Sequence, residues 1–133
     1  MSAYKVFNSV QFPNLNLLVG ALREMGYEPE VGEALEMRGF GSRAQTAQVV
    51  VRADQIDKCY YDLGFTWNGQ HYVPVVEDYA ARTILGPEWQ AKLRATYAKL
   101  AIMTFLARKG ARIGQVNSLA DGSLTISATM EVR

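Results

Sequence analysis

The side chains best suited to catalysis in this chain are one histidine, one cysteine and a nearby aspartate. His71 lies close in sequence to Asp62, and an imidazole with a carboxylate can serve as a general base or as metal ligands. Cys59 would be a nucleophile if His71 approached it. No spacing in the sequence brings the three together, and a lone half-exposed histidine or a lone buried cysteine is the commoner structural outcome. We therefore predict no catalytic residues and no metal site, and we lean against an enzyme.

A glycine-rich loop between two arginines, with the sequence RGFGSR, is the second place where chemistry is expected. Flexible backbone amides beside guanidinium groups are suited to binding phosphate. The loop completes neither a P-loop nor a dinucleotide fingerprint, so no cofactor is predicted. The residues of this predicted anion-binding site are Arg38, Gly39, Gly41, Arg43 and Arg52. They define our alternative hypothesis, a module that binds a small anion or a nucleotide.

Aromatic residues cluster in the middle of the chain, and we predict that Tyr60, Tyr61, Trp67 and His71 form a surface for a partner or a ligand. Aromatic side chains on an open sheet can stack on bases. The chain has 14 basic and 13 acidic residues and a net charge of +1, which gives no long-range attraction to nucleic acid. The expected partner is therefore a protein.

Length and composition predict a single domain over residues 1–133. One cysteine excludes an intrachain disulfide. The N-terminal residues do not resemble a secretory signal, and the longest helical pattern carries four cations, Lys92, Arg94, Lys99 and Arg108. We expect a cytoplasmic protein that does not bind membranes.

The stretch 62–79, DLGFTWNGQHYVPVVEDY, predicts a β-hairpin. Asn68-Gly69 is a dipeptide that accepts positive φ at both central positions of a tight turn. Pro74 cannot donate a ladder hydrogen bond, so its strand is either an edge strand or has its amide side facing outward there.

Helical periodicity precedes and follows this hairpin. Residues 15–25 carry one apolar stripe, with Asn14 as N-cap and Gly26 beyond the end. Residues 88–109 carry the strongest stripe, formed by Trp89, Leu93, Tyr97, Leu100 and Thr104 and widened by Ala101, Phe105 and Ile102 or Met103.

Strand patterns occupy residues 4–12 and 45–52, and Asp121-Gly122 predicts a second hairpin. Residues 27–37, interrupted by Pro29 and Gly32, predict a short strand with a loop, or two short strand pieces. The fold class is therefore α+β, an antiparallel sheet with two β-hairpins covered on one face by two amphipathic helices. If the Pro74 strand is an edge strand, it and the final strand offer edges through which the chain could form a homo-oligomer.

These segments resemble the Ycf35-like family, hypothetical chloroplast reading frame thirty-five, of cyanobacteria, red-algal plastids and some cyanophages. The resemblance runs from the opening strand through LLVGALREMGY, AQVVVR and the hairpin to the closing strand, and it is strongest at DLGF and DGSLTI. The turn here is Asn-Gly, where Asp-Gly is expected in relatives. Family members are domains of unknown function, so the resemblance implies a fold and no mechanism. It also implies a soluble protein that acts through a partner. With no catalytic set and no cofactor motif, the leading hypothesis is a small non-enzymatic binding or accessory protein.

Overall fold

The chain forms two antiparallel sheets and two α-helices, as described by a computed structural model. The structure describes residues 4–6, 12–38, 45–57, 59–77, 80, 84–118 and 124–129. The predicted α+β class is confirmed, and the structure adds that the two hairpins belong to separate sheets.

The strands are β1 Tyr4–Val6, β2 Glu30–Met37, β3 Gln45–Val51, β4 Leu63–Trp67, β5 Tyr72–Glu77, β6 Arg112–Ser118 and β7 Leu124–Thr129. The helices are α1 Leu15–Glu24 and α2 Pro87–Arg108, and a 3-10 turn covers Ala53–Gln55. The larger sheet has the order β1-β5-β4-β3-β2, and β6 pairs with β7 in a two-stranded ribbon. Every strand pair among the described residues is antiparallel, including β1 with β5, which no hairpin connects.

Helix α1 begins and ends where its sequence predicts. The Asn14 side chain accepts a hydrogen bond from the Leu17 amide at 3.0 Å, which satisfies one of the free N–H groups of the first turn. Gly26 has φ 99°, a left-handed conformation that costs glycine little, and the following Tyr27 amide returns to the Leu22 carbonyl. The apolar stripe of α1 is buried against the sheet and α2, which places the helix over one face of the sheet.

Helix α2 covers the same core with residues 89–100. Leu93 is fully buried, and Trp89, Tyr97 and Leu100 pack against the core cluster. Beyond Leu100 the predicted stripe meets solvent, since Phe105 is 59% and Ile102 is 42% exposed. The reason is length: 22 residues of α2 span about 33 Å, whereas the 10 residues of α1 span about 15 Å. The last turns of α2 therefore extend beyond α1.

Strand β5 is an inner strand, so the prediction that the Pro74 strand is an edge is wrong. The other alternative, an amide side that faces outward at Pro74, holds. The Tyr72 amide donates to the Phe12 carbonyl on the side away from β4. Alternate residues of a strand point their amides the same way, so the nitrogen of Pro74 also faces away from β4. Strand β1 pairs with Val75–Glu77 and does not reach Pro74. The proline therefore removes no hydrogen bond from the β4–β5 ladder.

The loop of this hairpin has four residues, 68–71, so the predicted centring of a tight turn on Asn68-Gly69 is wrong. Trp67 pairs with Tyr72, and the Asn68 amide donates to the His71 carbonyl at 3.0 Å. The Asn68 side-chain oxygen accepts from the amides of Gln70 and His71, at 3.0 and 2.8 Å. By accepting these two hydrogen bonds, the Asn68 side chain closes the loop. Gly69 has a positive φ in this loop, at 101°. The second predicted turn, Asp121-Gly122, lies outside the described residues.

Both faces of the central strands are buried. Val49 and Val51 face the helices in the main core, whereas Val50 joins Met37 and Ala47 in a small cluster. Gly64 lies beside that cluster, where a Cβ atom would come within 2.8 Å of both Met37 Cε and Ala47 Cβ. The three consecutive valines of β3 thus form the doubly buried strand that such a run predicts.

Candidate functional site

The most buried charged side chain among the described residues is that of Asp62, which is 1% exposed. Asp62 directly precedes β4. Its Oδ1 accepts the Ala53 amide at 2.8 Å, and its Oδ2 accepts the Arg38 amide at 2.7 Å. The Asp62 amide returns to the Arg38 carbonyl at 3.1 Å. One aspartate therefore joins the end of β2, the 3-10 turn and the start of β4.

The guanidinium of Arg52 extends this arrangement to the first residue of β2. Its Nη1 donates to Asp62 Oδ2 at 2.8 Å and to the Glu36 carbonyl at 2.7 Å. Its Nε is hydrogen-bonded to a carboxylate oxygen of Glu30, and Nη2 reaches the other oxygen at 3.3 Å. We call Asp62, Arg52, Glu30 and Arg38 the carboxylate–arginine cluster.

The electrostatics of the cluster favour its charged form. Burial raises the pKa of Asp62, but the two backbone amides and the Arg52 guanidinium outweigh burial, so the pKa lies below its usual value. The hydrogen bond from Arg52 likewise lowers the pKa of Glu30. The hydrogen bond to Glu30 raises the pKa of Arg52, which therefore remains charged at any physiological pH.

The predicted anion-binding residues are only partly described. Arg38 and Arg52 do converge, because the Arg38 Nε lies 3.6 Å from the same Asp62 oxygen that Arg52 binds. The anion at their meeting point is the Asp62 carboxylate. Gly39, Gly41 and Arg43 lie outside the described residues.

The three residues with catalytic potential are not brought together. Asp62 and Cys59 precede β4 and His71 follows its far end, so the five residues of β4 separate them by roughly 17 Å. The Cys59 thiol donates to the Tyr61 carbonyl at 3.1 Å, and burial raises its pKa, which disfavours the nucleophilic thiolate. His71 Nδ1 is enclosed and has no hydrogen-bond partner among the described residues. A nucleophile–base pair from these side chains is therefore not formed.

The end of the β4–β5 hairpin presents an ordered aromatic surface. Trp67 is 44% exposed, and its ring packs against Tyr72 in a tilted arrangement, with centroids 4.8 Å apart and planes inclined by 53°. The Gln48 side chain holds the strand from the neighbouring β3, accepting the Trp67 amide at 2.8 Å and donating to the Glu33 carbonyl at 2.9 Å. We call Trp67, Tyr72 and His71 the hairpin-end surface.

The predicted aromatic surface thus divides into two places. Trp67 and His71 belong to the hairpin-end surface, whereas Tyr60 and Tyr61 lie at the opposite end of β4. Tyr60 is 84% exposed, and Tyr61 is partly buried. Sequence proximity placed the four together because it carries no information on which end of a strand each residue occupies.

Two members of these sites were not anticipated. Glu30 and Gln48 act across strand pairs on partners 22 and 19 residues away in sequence. A signal for Glu30 exists, since a strand that ends in arginine beside an acidic segment suggests a cross-strand ion pair. No sequence signal identifies Gln48.

Comparison with known proteins places these features inside a recognised sequence family. The model of a family described as a protein of unknown function, DUF1257, matches residues 21–127. The chain belongs to the DUF1257 family. The match to DUF1257 includes Glu30, Arg52, Asp62 and Trp67, and therefore both the carboxylate–arginine cluster and the hairpin end.

Membership of DUF1257 assigns no activity, and the resemblance to the Ycf35-like family stays a prediction. No curated protein and no solved structure matches the chain. In the part of the chain that the structure describes, no three His, Cys, Asp or Glu side chains form a group that could hold a metal ion. Among the same residues, no helix has the length and apolar character needed to cross a bilayer.

Proposed function

We propose that this DUF1257 protein is a small non-enzymatic accessory protein that binds a protein partner through the hairpin-end surface. The observation that carries the proposal is Trp67, a large apolar side chain left 44% exposed at the end of a hairpin and held in place by Tyr72 and Gln48. Tryptophan and tyrosine are the residue types that most often dominate the binding energy of protein interfaces.

Preorganisation supports the choice of this surface over the other exposed apolar residues. Tyr72 is joined to Phe12 by a pair of backbone hydrogen bonds at 2.8 and 3.0 Å. Phe12 is buried and contacts Phe65 and Tyr97, with ring centroids 6.0 and 5.0 Å away. An anchor connected in this way to the core loses little conformational entropy when a partner binds.

The proposal is tested by affinity capture from the native host with three forms of the chain: wild type, Trp67→Ala and Tyr60→Ala. Tyr60 is the matched control, since it is an exposed aromatic residue at the other end of β4. We expect at least one protein to be retained by wild type and Tyr60→Ala and to be reduced at least tenfold by Trp67→Ala. Identical retention by all three forms contradicts the proposal, provided that circular dichroism shows each variant folded.

The alternative, an anion- or nucleotide-binding module at Arg38–Arg43, draws on the convergence of Arg38 and Arg52. A phosphate there would compete with the carboxylates of Asp62 and Glu30 for the same guanidinium groups. We therefore expect inorganic phosphate and nucleotides at millimolar concentration to leave the melting temperature unchanged. A rise of several degrees that Arg38→Ala removes would favour the alternative.

The setting of this function is part of the proposal. Similarity to the Ycf35-like family supports a host among cyanobacteria, plastids or their phages, and we propose a cytoplasmic location. Detection of the chain and its captured partner in the soluble fraction of such a host would support this location.

A further inference from the structure

Four strands of the two sheets have a side without a partner strand among the described residues. They are β1 and β2 at the two ends of the larger sheet, and β6 and β7 of the ribbon. An exposed strand edge is a template for pairing with another chain, and proteins protect such edges with charges, bulges or short length. The four edges differ in how well they are protected.

Three of these edges carry protection. Strand β1 has only three residues. Strand β2 is bulged between Val31 and Leu35 and carries exposed glutamates, including Glu33. Strand β6 begins with the exposed Arg112 and has its own irregularity, since three residues of β6 oppose two of β7 beyond Ile113.

Strand β7 has none of these features. Its sequence, LTISAT over Leu124–Thr129, contains no charge, proline or glycine, and it supplies no extra residue to the irregular part of the ladder. Thr125, Ser127, Ala128 and Thr129 are exposed. When such a strand pairs antiparallel with its own copy, no like charges within it face each other.

The ribbon is also incomplete as a folded unit. Two strands alone are marginally stable in water, and the apolar side chains of this ribbon, Ile113, Val116 and Ile126, are only half-buried. The ribbon packs on α2, whose exposed Ile102 and Phe105 lie in the turns that lead into β6. Two further strands would give the ribbon the width of an ordinary sheet.

From these observations we infer that β7 pairs with β7 of a second copy of this chain, giving a symmetric dimer. Its sheet has the order β6-β7-β7-β6. Antiparallel pairing of identical strands places the two-fold axis perpendicular to the sheet, so the α2 helices of both copies lie on the same face. The dimer is independent of the hairpin-end surface and would display two copies of it, which strengthens binding to a partner with repeated sites.

The test is the mass of the purified chain by sedimentation equilibrium at about 100 μM, well above a micromolar dissociation constant. We expect about twice the chain mass of 14.8 kDa. Thr125→Lys with Thr129→Lys places two cations on β7, and Thr125→Glu with Thr129→Glu places two anions. We expect each double variant alone to be monomeric at low salt, and an equimolar mixture of the two to recover the dimer mass.

The matched control is Asn117→Lys, because Asn117 is exposed and pairs with Thr125 across the ribbon, on β6. This variant should remain dimeric. A monomeric wild type overturns the inference, and so does a dimer that persists in both β7 double variants. Recovery of the dimer in the mixture shows that the variants are folded, and failure to recover it while circular dichroism reports folded chains contradicts pairing through β7.

Discussion

Asp62 and Arg52 form an ion pair in which 2.8 Å separates the carboxylate Oδ2 from the guanidinium Nη1, and the aspartate side chain is 1% exposed. The pair connects residues that adjoin β2, β3 and β4. The same carboxylate binds two backbone amides, so its removal leaves three donors without their acceptor. The role of Asp62 in this fold is to hold strand ends together.

Replacement of Asp62 by alanine is expected to lower the free energy of unfolding by about 3–5 kcal/mol, the usual cost of removing one partner of a buried ion pair. The reason is that Arg52 and the amides of Arg38 and Ala53 lose their shared acceptor. Urea unfolding followed by circular dichroism measures the change. Asp54→Ala is the control, because Asp54 is exposed in the 3-10 turn. A loss below 1 kcal/mol for Asp62→Ala contradicts this role.

The pH dependence of stability follows from the lowered pKa of Asp62. A carboxyl group with a lower pKa in the folded state binds fewer protons there than in the unfolded state. Its contribution is therefore complete above the unfolded pKa of about 4 and is lost as the pH falls through the folded pKa. Unfolding of wild type and Asp62→Asn should be compared between about pH 7 and pH 2. We expect the stability difference to shrink toward the acid end, and a constant difference would count against the assignment.

Gly64 is required by close packing rather than by backbone conformation. A Cβ at this position would lie 2.8 Å from Ala47 Cβ, and the cluster around Met37 leaves no room for it. Gly64→Ala is expected to cost about 1–3 kcal/mol through overpacking. Gly20→Ala in α1 is the matched substitution, because its Cβ would meet Leu100 Cδ1 at an ordinary 3.4 Å and alanine favours helix by up to about 1 kcal/mol. Equal effects of the two substitutions on the unfolding midpoint would contradict this requirement, because they would show that Met37 and Ala47 move aside at little cost in stability.

Local chemistry made the helices and the first hairpin predictable. Asn14 and Gly26 mark the ends of α1 in the sequence, because caps depend on residues within one turn. Strand β2 was less predictable: Gly32 and Pro29 indicate an interruption, whereas the structure keeps Glu30–Met37 as one strand and absorbs the irregularity in a bulge. The pairing with β3 decides that outcome, and pairing is a tertiary property.

The candidate sites were predictable only as single residues. Asp62, Arg52, Trp67 and His71 were identified by type, but their partners depend on strand order and register. In a hairpin, residues nine positions apart lie either side by side or at opposite ends of a strand. Asp62 and His71 lie at opposite ends of β4. The exposure of Phe105 likewise depends on where along α2 the shorter α1 packs, which helical periodicity does not contain.

The most direct test of the proposed function is photo-crosslinking in the native host. In one strain a benzophenone amino acid replaces Gln70, an exposed residue in the hairpin loop that follows Trp67, and in a second strain it replaces Tyr60 at the other end of β4. Binding through the hairpin end predicts a discrete adduct between the chain and one protein from position 70, and none from position 60. An adduct from position 60 alone, or none from position 70, would contradict it.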